Sequence, residues 1–144
     1  MPANTDPIFS AKGDVSNNSG TGMNQLILTA ANDYTGVSAN NSLVFTADST
    51  NGSYVERLRF KAGGTNVASV ARIFLNNGST PGTAANNVFY GELSLPAITA
   101  IATASTIDLD YPIGFVLPAS FRIYVGLGTT VAAGWVVTAI AGRY

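Results

Sequence analysis

From Asn24 onward the sequence never runs far without interruption: β-rich stretches of five to nine residues alternate with breaks of Gly, Asn, Pro and Thr. The runs are Gln25 to Thr29, Ser42 to Thr46, Tyr54 to Lys61, Val67 to Leu75, Val88 to Leu95, Thr106 to Leu109, Phe121 to Leu127 and Trp135 to Ile140. Val, Ile, Thr and aromatic residues dominate them, as strands require. The breaks Asn51-Gly52, Gly63-Gly64, Asn77-Gly78, Pro81-Gly82, Pro118-Ala119 and Gly126-Leu127-Gly128 supply the positive or fixed φ that a reversing chain needs. No segment carries a helical period. The Ala-rich piece 97–104 comes nearest, and its Ile and Thr residues argue against a helix. About eight antiparallel strands in two sheets, an all-β sandwich or barrel, is the expected fold.

Within the runs, alternation assigns faces. In Tyr54 to Lys61 it sends Val55, Arg57, Arg59 and Lys61 one way and Tyr54, Glu56, Leu58 and Phe60 the other, toward the core. In Phe121 to Val125 the residues Phe121, Ile123 and Val125 share a face opposite Arg122 and Tyr124. Trp135, between small and β-branched neighbours, reads as a core residue with Val137 and Phe121 as companions rather than as a sugar platform. Residues 1–24 differ in kind. Rich in Asn, Ser, Gly and Thr, with Ile8-Phe9 as a hydrophobic anchor, they read as an extended N-terminal arm with one short strand, either docking on something else or a frayed terminus without a role, and residues 25–144 as the sandwich domain.

The chemistry open to the chain is narrow. It has no Cys and no His, so thiolate sites, disulfides, histidine bases and Ser-His-Asp triads are excluded. Asp108 and Asp110, two apart on a strand end, place two carboxylates on one side, a pattern that could serve glycoside hydrolysis or calcium but fits a solvated strand edge better. Gly126-Leu127-Gly128 opens no helix and is a turn, not a phosphate cradle. Arg57, Arg59 and Lys61 form the clustered charge, too few for a nucleic-acid groove and suited to a solvated face or an acidic partner surface. With a net charge of -1 there is no electrostatic draw toward nucleic acid or an anionic membrane, and apolar runs stop well short of the roughly 18 residues that span one. The first residues carry no basic or long apolar leader, so a chain made in a cytoplasm and not exported by the general pathway is expected. No catalytic residue, metal or cofactor is expected, and the chain reads as non-enzymatic.

The stretch Glu56-Arg57-Leu58-Arg59-Phe60-Lys61-Ala62-Gly63-Gly64-Thr65-Asn66-Val67-Ala68 continues through Arg72-Ile73-Phe74-Leu75-Asn76-Asn77-Gly78 to Ala84-Ala85-Asn86-Asn87. Val116-Leu117-Pro118-Ala119, Ala132-Ala133-Gly134-Trp135-Val136-Val137-Thr138 and Gly142-Arg143-Tyr144 follow. Over roughly residues 54–144 this resembles small tailed-phage head proteins encoded beside the major capsid protein, and through them the jelly-roll cement proteins. The resemblance implies a jelly-roll sandwich and a structural virion protein on the capsid exterior, made in the bacterial host cytoplasm. It further implies the major capsid protein as partner and self-association as dimer or trimer. Ile8, Phe9, Arg57, Arg59 and Lys61 are then the candidate capsid contacts. The competing expectation is a tail-fibre or spike domain that binds a host surface glycan through exposed aromatic residues around a shallow cleft.

Overall fold

Each of the eight runs forms a strand and most of the breaks fall between strands, but Gly126-Leu127-Gly128 is not the turn expected: Gly126 and Leu127 belong to a strand and pair with Arg72 and Ala71. The computed structural model of the chain describes residues 12–16 and 25–144. In order, the strands are β1 (Lys12–Ser16), β2 (Gln25–Ile27), β3 (Ser42–Thr46), β4 (Ser53–Ala62), β5 (Ser69–Asn76), β6 (Asn87–Leu95), β7 (Asp108–Leu117), β8 (Arg122–Leu127) and β9 (Trp135–Arg143), with one 3-10 turn at Ala84–Asn86. All ladders between them are antiparallel. One sheet runs β1-β9-β4-β7 with β2 also on β9, and the other runs β3-β8-β5-β6. β1 covers Ala139 to Arg143 and β2 covers Trp135 to Val137, so the two lie end to end along one side of β9. Each sheet is therefore four strand positions wide.

The pairings β5–β6, β4–β7, β3–β8 and β2–β9 are nested, each enclosing the one before, and alternate ladders fall in alternate sheets. That is the jelly-roll order: one long antiparallel hairpin wrapped into two facing sheets. Between them lies the core. Val55, Leu58, Phe60 and Ala62 of β4 and Trp135, Val137 and Ala139 of β9 meet Phe45 of β3, Ala71 and Ile73 of β5, and Ile123, Val125 and Leu127 of β8, all buried. Gly52, in the turn before β4, has φ +78°, and a Cβ there would lie 2.3 Å from the Leu117 carbonyl oxygen, so the turn admits only glycine.

Three further expectations are corrected. Tyr54 and Glu56 are exposed and Val55 is buried, because the ladder to β9 shifts between Val55 and Arg57. The extra residue of this bulge reverses which side faces inward, so the alternation holds only from Leu58 on. The strand expected to stop at Leu109 runs to Leu117, through Pro112. β7 pairs only with β4, and an edge strand tolerates the missing N–H. Phe121 is no companion of Trp135. Trp135 stands opposite Ile27 and Ala62 at one end of β4, whereas Phe121 lines a cleft with Leu117, which pairs with Ser53 at the other end.

The outward face of the β3-β8-β5-β6 sheet is itself covered. Residues 30–41, between β2 and β3, fold across it: the Ala31 N–H donates to the Leu127 carbonyl oxygen, and Gly36 comes within contact of the Phe74 ring. Asp33 stiffens this cover by accepting from the backbone N–H groups of Thr35, Gly36 and Ser38 at 3.0, 2.6 and 3.1 Å. Arg72, only 8% exposed, is sealed beneath it.

Candidate functional site

Of the five residues singled out from sequence, Ile8 and Phe9 lie outside the described residues. Arg57, Arg59 and Lys61 come together on the outward face of β4, and the neighbouring strand answers them. Register places Arg59 opposite Asp110 and Lys61 opposite Asp108. Arg59 Nη2 donates to Asp108 Oδ2 at 2.8 Å, and Lys61 Nζ lies 2.9 Å from Asp108 Oδ1. Lys61 Nζ also donates to the Thr106 carbonyl oxygen at 2.7 Å. Arg57 donates to Glu56 and pairs through Nε with Asp110 at 3.6 Å, an ion pair too long for a hydrogen bond. Three cations thus face three carboxylates, and the strip is electrically balanced rather than basic. The acidic pair is equally committed: Asp108 and Asp110 share a side, as their spacing implies, and serve as counter-ions.

These groups are a third to a half exposed, so the pairs stabilise the fold little. Asp108 nonetheless titrates abnormally. The hydrogen bond from Lys61 holds its carboxyl below the ordinary value; desolvation pulls the other way, and the charges of Arg59 and Lys61 add to the lowering. A carboxyl with a depressed folded-state pKa stabilises above its unfolded value and ceases to as the pH falls through the folded one. Asp108→Asn should therefore melt slightly below wild type at neutral pH. Melting curves should converge as the pH drops through the acid range, and a gap independent of pH would mean that the ladder holds no titrating pair.

Composition gave no warning of a second surface. β6 and β7 are edge strands on the same side of the sandwich, and Tyr90 bridges them, its ring centroid 6.2 Å from that of Tyr111 and 5.6 Å from that of Phe115, both near edge-on. Gly91 makes this possible: a Cβ there would lie 2.0 Å from the Tyr111 hydroxyl oxygen. Burial, with a smaller contribution from Tyr90, pushes the Tyr111 phenol up. Tyr90 is the extra residue of a bulge, since Ile73 faces Gly91 while Phe74 faces Phe89. Val88, Phe89 and Tyr90 are exposed on this edge by 61%, 39% and 38%. Beside them opens a cleft of about 230 Å³, its apolar lining including Leu75, Val88, Phe115, Leu117 and Phe121.

On the other side of Phe89 stands Tyr34, edge-on at 5.3 Å. The Arg72 guanidinium lies 4.1 Å from the Tyr34 ring centroid, donates to its hydroxyl at 2.9 Å and pairs with Glu92 at 3.1 Å. Arg72 is thereby a strut that fixes the covering segment, not a free cation.

A further cleft, about 280 Å³, lies between Gly36–Ala39, Pro81–Gly82 and Tyr124. Asn41 lines it, and both atoms of its side-chain amide are buried with no hydrogen-bond partner among the described residues. Among those residues no three His, Cys, Asp or Glu stand together where they could hold a metal.

No family model matches this chain, and comparison with curated proteins and with solved structures finds no match.

Proposed function

We propose that this chain is a structural virion protein, a cement protein that binds the outside of a tailed-phage capsid and ties neighbouring capsomers together. The jelly-roll order of its strands carries the reading, because that architecture is what the resemblance over residues 54–144 implies. Two features support it. The titratable groups on the β4–β7 face neutralise one another instead of standing free for chemistry, and three consecutive residues of the β6 edge, Val88, Phe89 and Tyr90, expose apolar surface of the kind a docking contact uses.

The test is binding of purified protein to undecorated heads. Removing residues 2–9 takes away Ile8 and Phe9 but stops short of β1 at Lys12, so the sandwich should fold and attach more weakly. Unchanged occupancy would discard the docking arm, and failure of wild type to bind would discard the cement role. For the β4 face the pairing selects the variant: reversing Arg59 would set it against Asp108, so Arg59→Gln is the cleaner change. Weaker attachment that fades in high salt marks an acidic surface opposite.

One observation favours a second reading, a tail-fibre or spike domain that binds a host glycan. The cleft that Tyr124 lines holds no charged group, and behind it the buried Asn41 amide keeps a donor and an acceptor without partners among the described residues. Glycan-array binding by wild type, lost in a Tyr124 variant that still folds, would replace the cement role.

A further inference from the structure

Proteases cut native proteins where the backbone leaves its ladders, so the residues found in such places decide which enzymes can act. All seven lysines and arginines of the chain lie in strands, three of them in β4 and one each in β1, β5, β8 and β9. A trypsin-like enzyme therefore meets its residues only inside ladders. Arg59 separates a reachable side chain from a cleavable bond: its side chain is 47% exposed, yet its backbone is paired on both sides, to Asp110 of β7 and to Thr138 of β9.

The connection from β6 to β7, residues 96–107, is the opposite case. Its ends are pinned, where Ile98 and Asn66 exchange backbone hydrogen bonds at 2.8 and 2.9 Å and Thr106 Oγ1 donates to the Ala62 carbonyl oxygen at 2.9 Å. Between the pins residues 99–105 are all exposed. The Ala100 N–H donates to Thr65 Oγ1 at 3.0 Å, but beyond it the backbone is held only by the Ala104 N–H, 3.5 Å from the Ile101 carbonyl oxygen and at the limit of a hydrogen bond. The other long connection, residues 28–41, has no such freedom, because Asp33, Arg72 and the Leu127 carbonyl hold it down. From Leu93 to Ile107 the sequence contains no charged and no aromatic residue.

We propose that residues 101–105 are where a protease with a small, uncharged specificity pocket cuts the native chain, and that the nicked protein stays assembled. Ala, Thr and Ser side chains fit such a pocket and give a pocket built for a cation or a ring nothing to hold. Water adds across the bond, its hydroxyl going to the carbonyl carbon and its proton to the amine that leaves. The cut parts β1–β6 from β7–β9, but β7 remains laddered to β4, β8 to β3 and β5, and β9 to β2 and β4. Those ladders need no covalent link through the loop. Neither claim depends on the virion role.

Limited digestion of the full chain with elastase and with trypsin, mapped by mass spectrometry, tests both. Within residues 25–144 the first elastase cut should fall between Ile101 and Ser105, giving fragments that separate under denaturing conditions but elute together at native size. Trypsin at equal activity should take at least about ten times as long to cut between Gly13 and Gly142, because strands open far more rarely than loops. Ala102→Arg puts a tryptic residue in the loop, and trypsin should cut there at least about ten times faster than it cuts wild type. Circular dichroism verifies the fold of that variant, and the two digests of wild type stand without it. A first elastase cut elsewhere in residues 25–144, trypsin as fast as elastase on wild type, a folded Ala102→Arg that trypsin spares, or fragments that part under native conditions would overturn the inference.

Discussion

Trp135→Ala is expected to cost about 3–5 kcal/mol, the usual range for a large aromatic removed from a packed core. Trp135 is fully buried on the inner face of β9, between Ile27 of β2 and Ala62 of β4, and those neighbours cannot collapse into the space without pulling two ladders out of register. Domains of this size are stable by roughly 5–15 kcal/mol, so the loss would take a large part of the total. Chemical denaturation should show a lower midpoint at an unchanged slope. Trp135→Phe should cost much less. The indole N–H is buried with no hydrogen-bond partner among the described residues, and phenylalanine removes that group while keeping most of the apolar surface. A normally stable Trp135→Ala variant would contradict the placement of this side chain in the core.

The second large effect is expected at Asn66, 3% exposed in the connection between β4 and β5. Its Nδ2 donates to the Gly134 carbonyl oxygen at 2.8 Å, and its Oδ1 accepts from the backbone N–H groups of Ala133 and Gly134 at 2.8 and 3.0 Å. One amide thus satisfies three backbone groups at the entry to β9, while its own backbone is held by Ile98. Asn66→Ala strands the Ala133 and Gly134 N–H groups at roughly 1–3 kcal/mol each, less whatever water enters, while the Gly134 carbonyl keeps the Gly63 N–H at 2.9 Å, so a net loss of about 2–4 kcal/mol is expected. Amide hydrogen exchange should localise it. Ala133 and Gly134 should exchange far faster in the variant than in wild type, and unaltered protection there would show that the side chain does not carry the turn.

Much of the architecture could be read from the chain because each run between turn residues holds one strand, and Ser42 to Thr46 has the expected bounds to the residue. The burial of Trp135 was equally legible, since an apolar strand with small neighbours leaves a large ring one place to go. The faces were not. One inserted residue at Glu56 turns Tyr54 outward and Val55 inward, and local composition does not mark it because a bulge is set by the neighbouring strands. Pro112 looked like a stop because only the sheet order reveals that its strand is an edge. The charged strip was half legible: the three cations and the two aspartates were visible separately, but their mutual cancellation depends on the register of β4 against β7. Asn66 and Arg72 escaped notice for a similar reason. Each looks ordinary in sequence, and each acquires its role from groups many residues away.

The nested ladders also constrain how the chain reaches this state. The innermost, closed at Asn76 opposite Asn87, needs only a short connection to form, while the outermost sets Lys12 against Arg143 and must bring together residues from opposite ends of the described chain. Loop-closure entropy grows with that separation, and folds dominated by distant pairings reach the native state in milliseconds to seconds rather than microseconds. The wrapping is therefore expected to run from the inside out, β5 and β6 joining first and β9 settling last between β2 and β4. Until it does, β4 is an open edge and Trp135 is wet, which makes the interval before the last strand docks the period in which the chain is most exposed to misassembly with its neighbours.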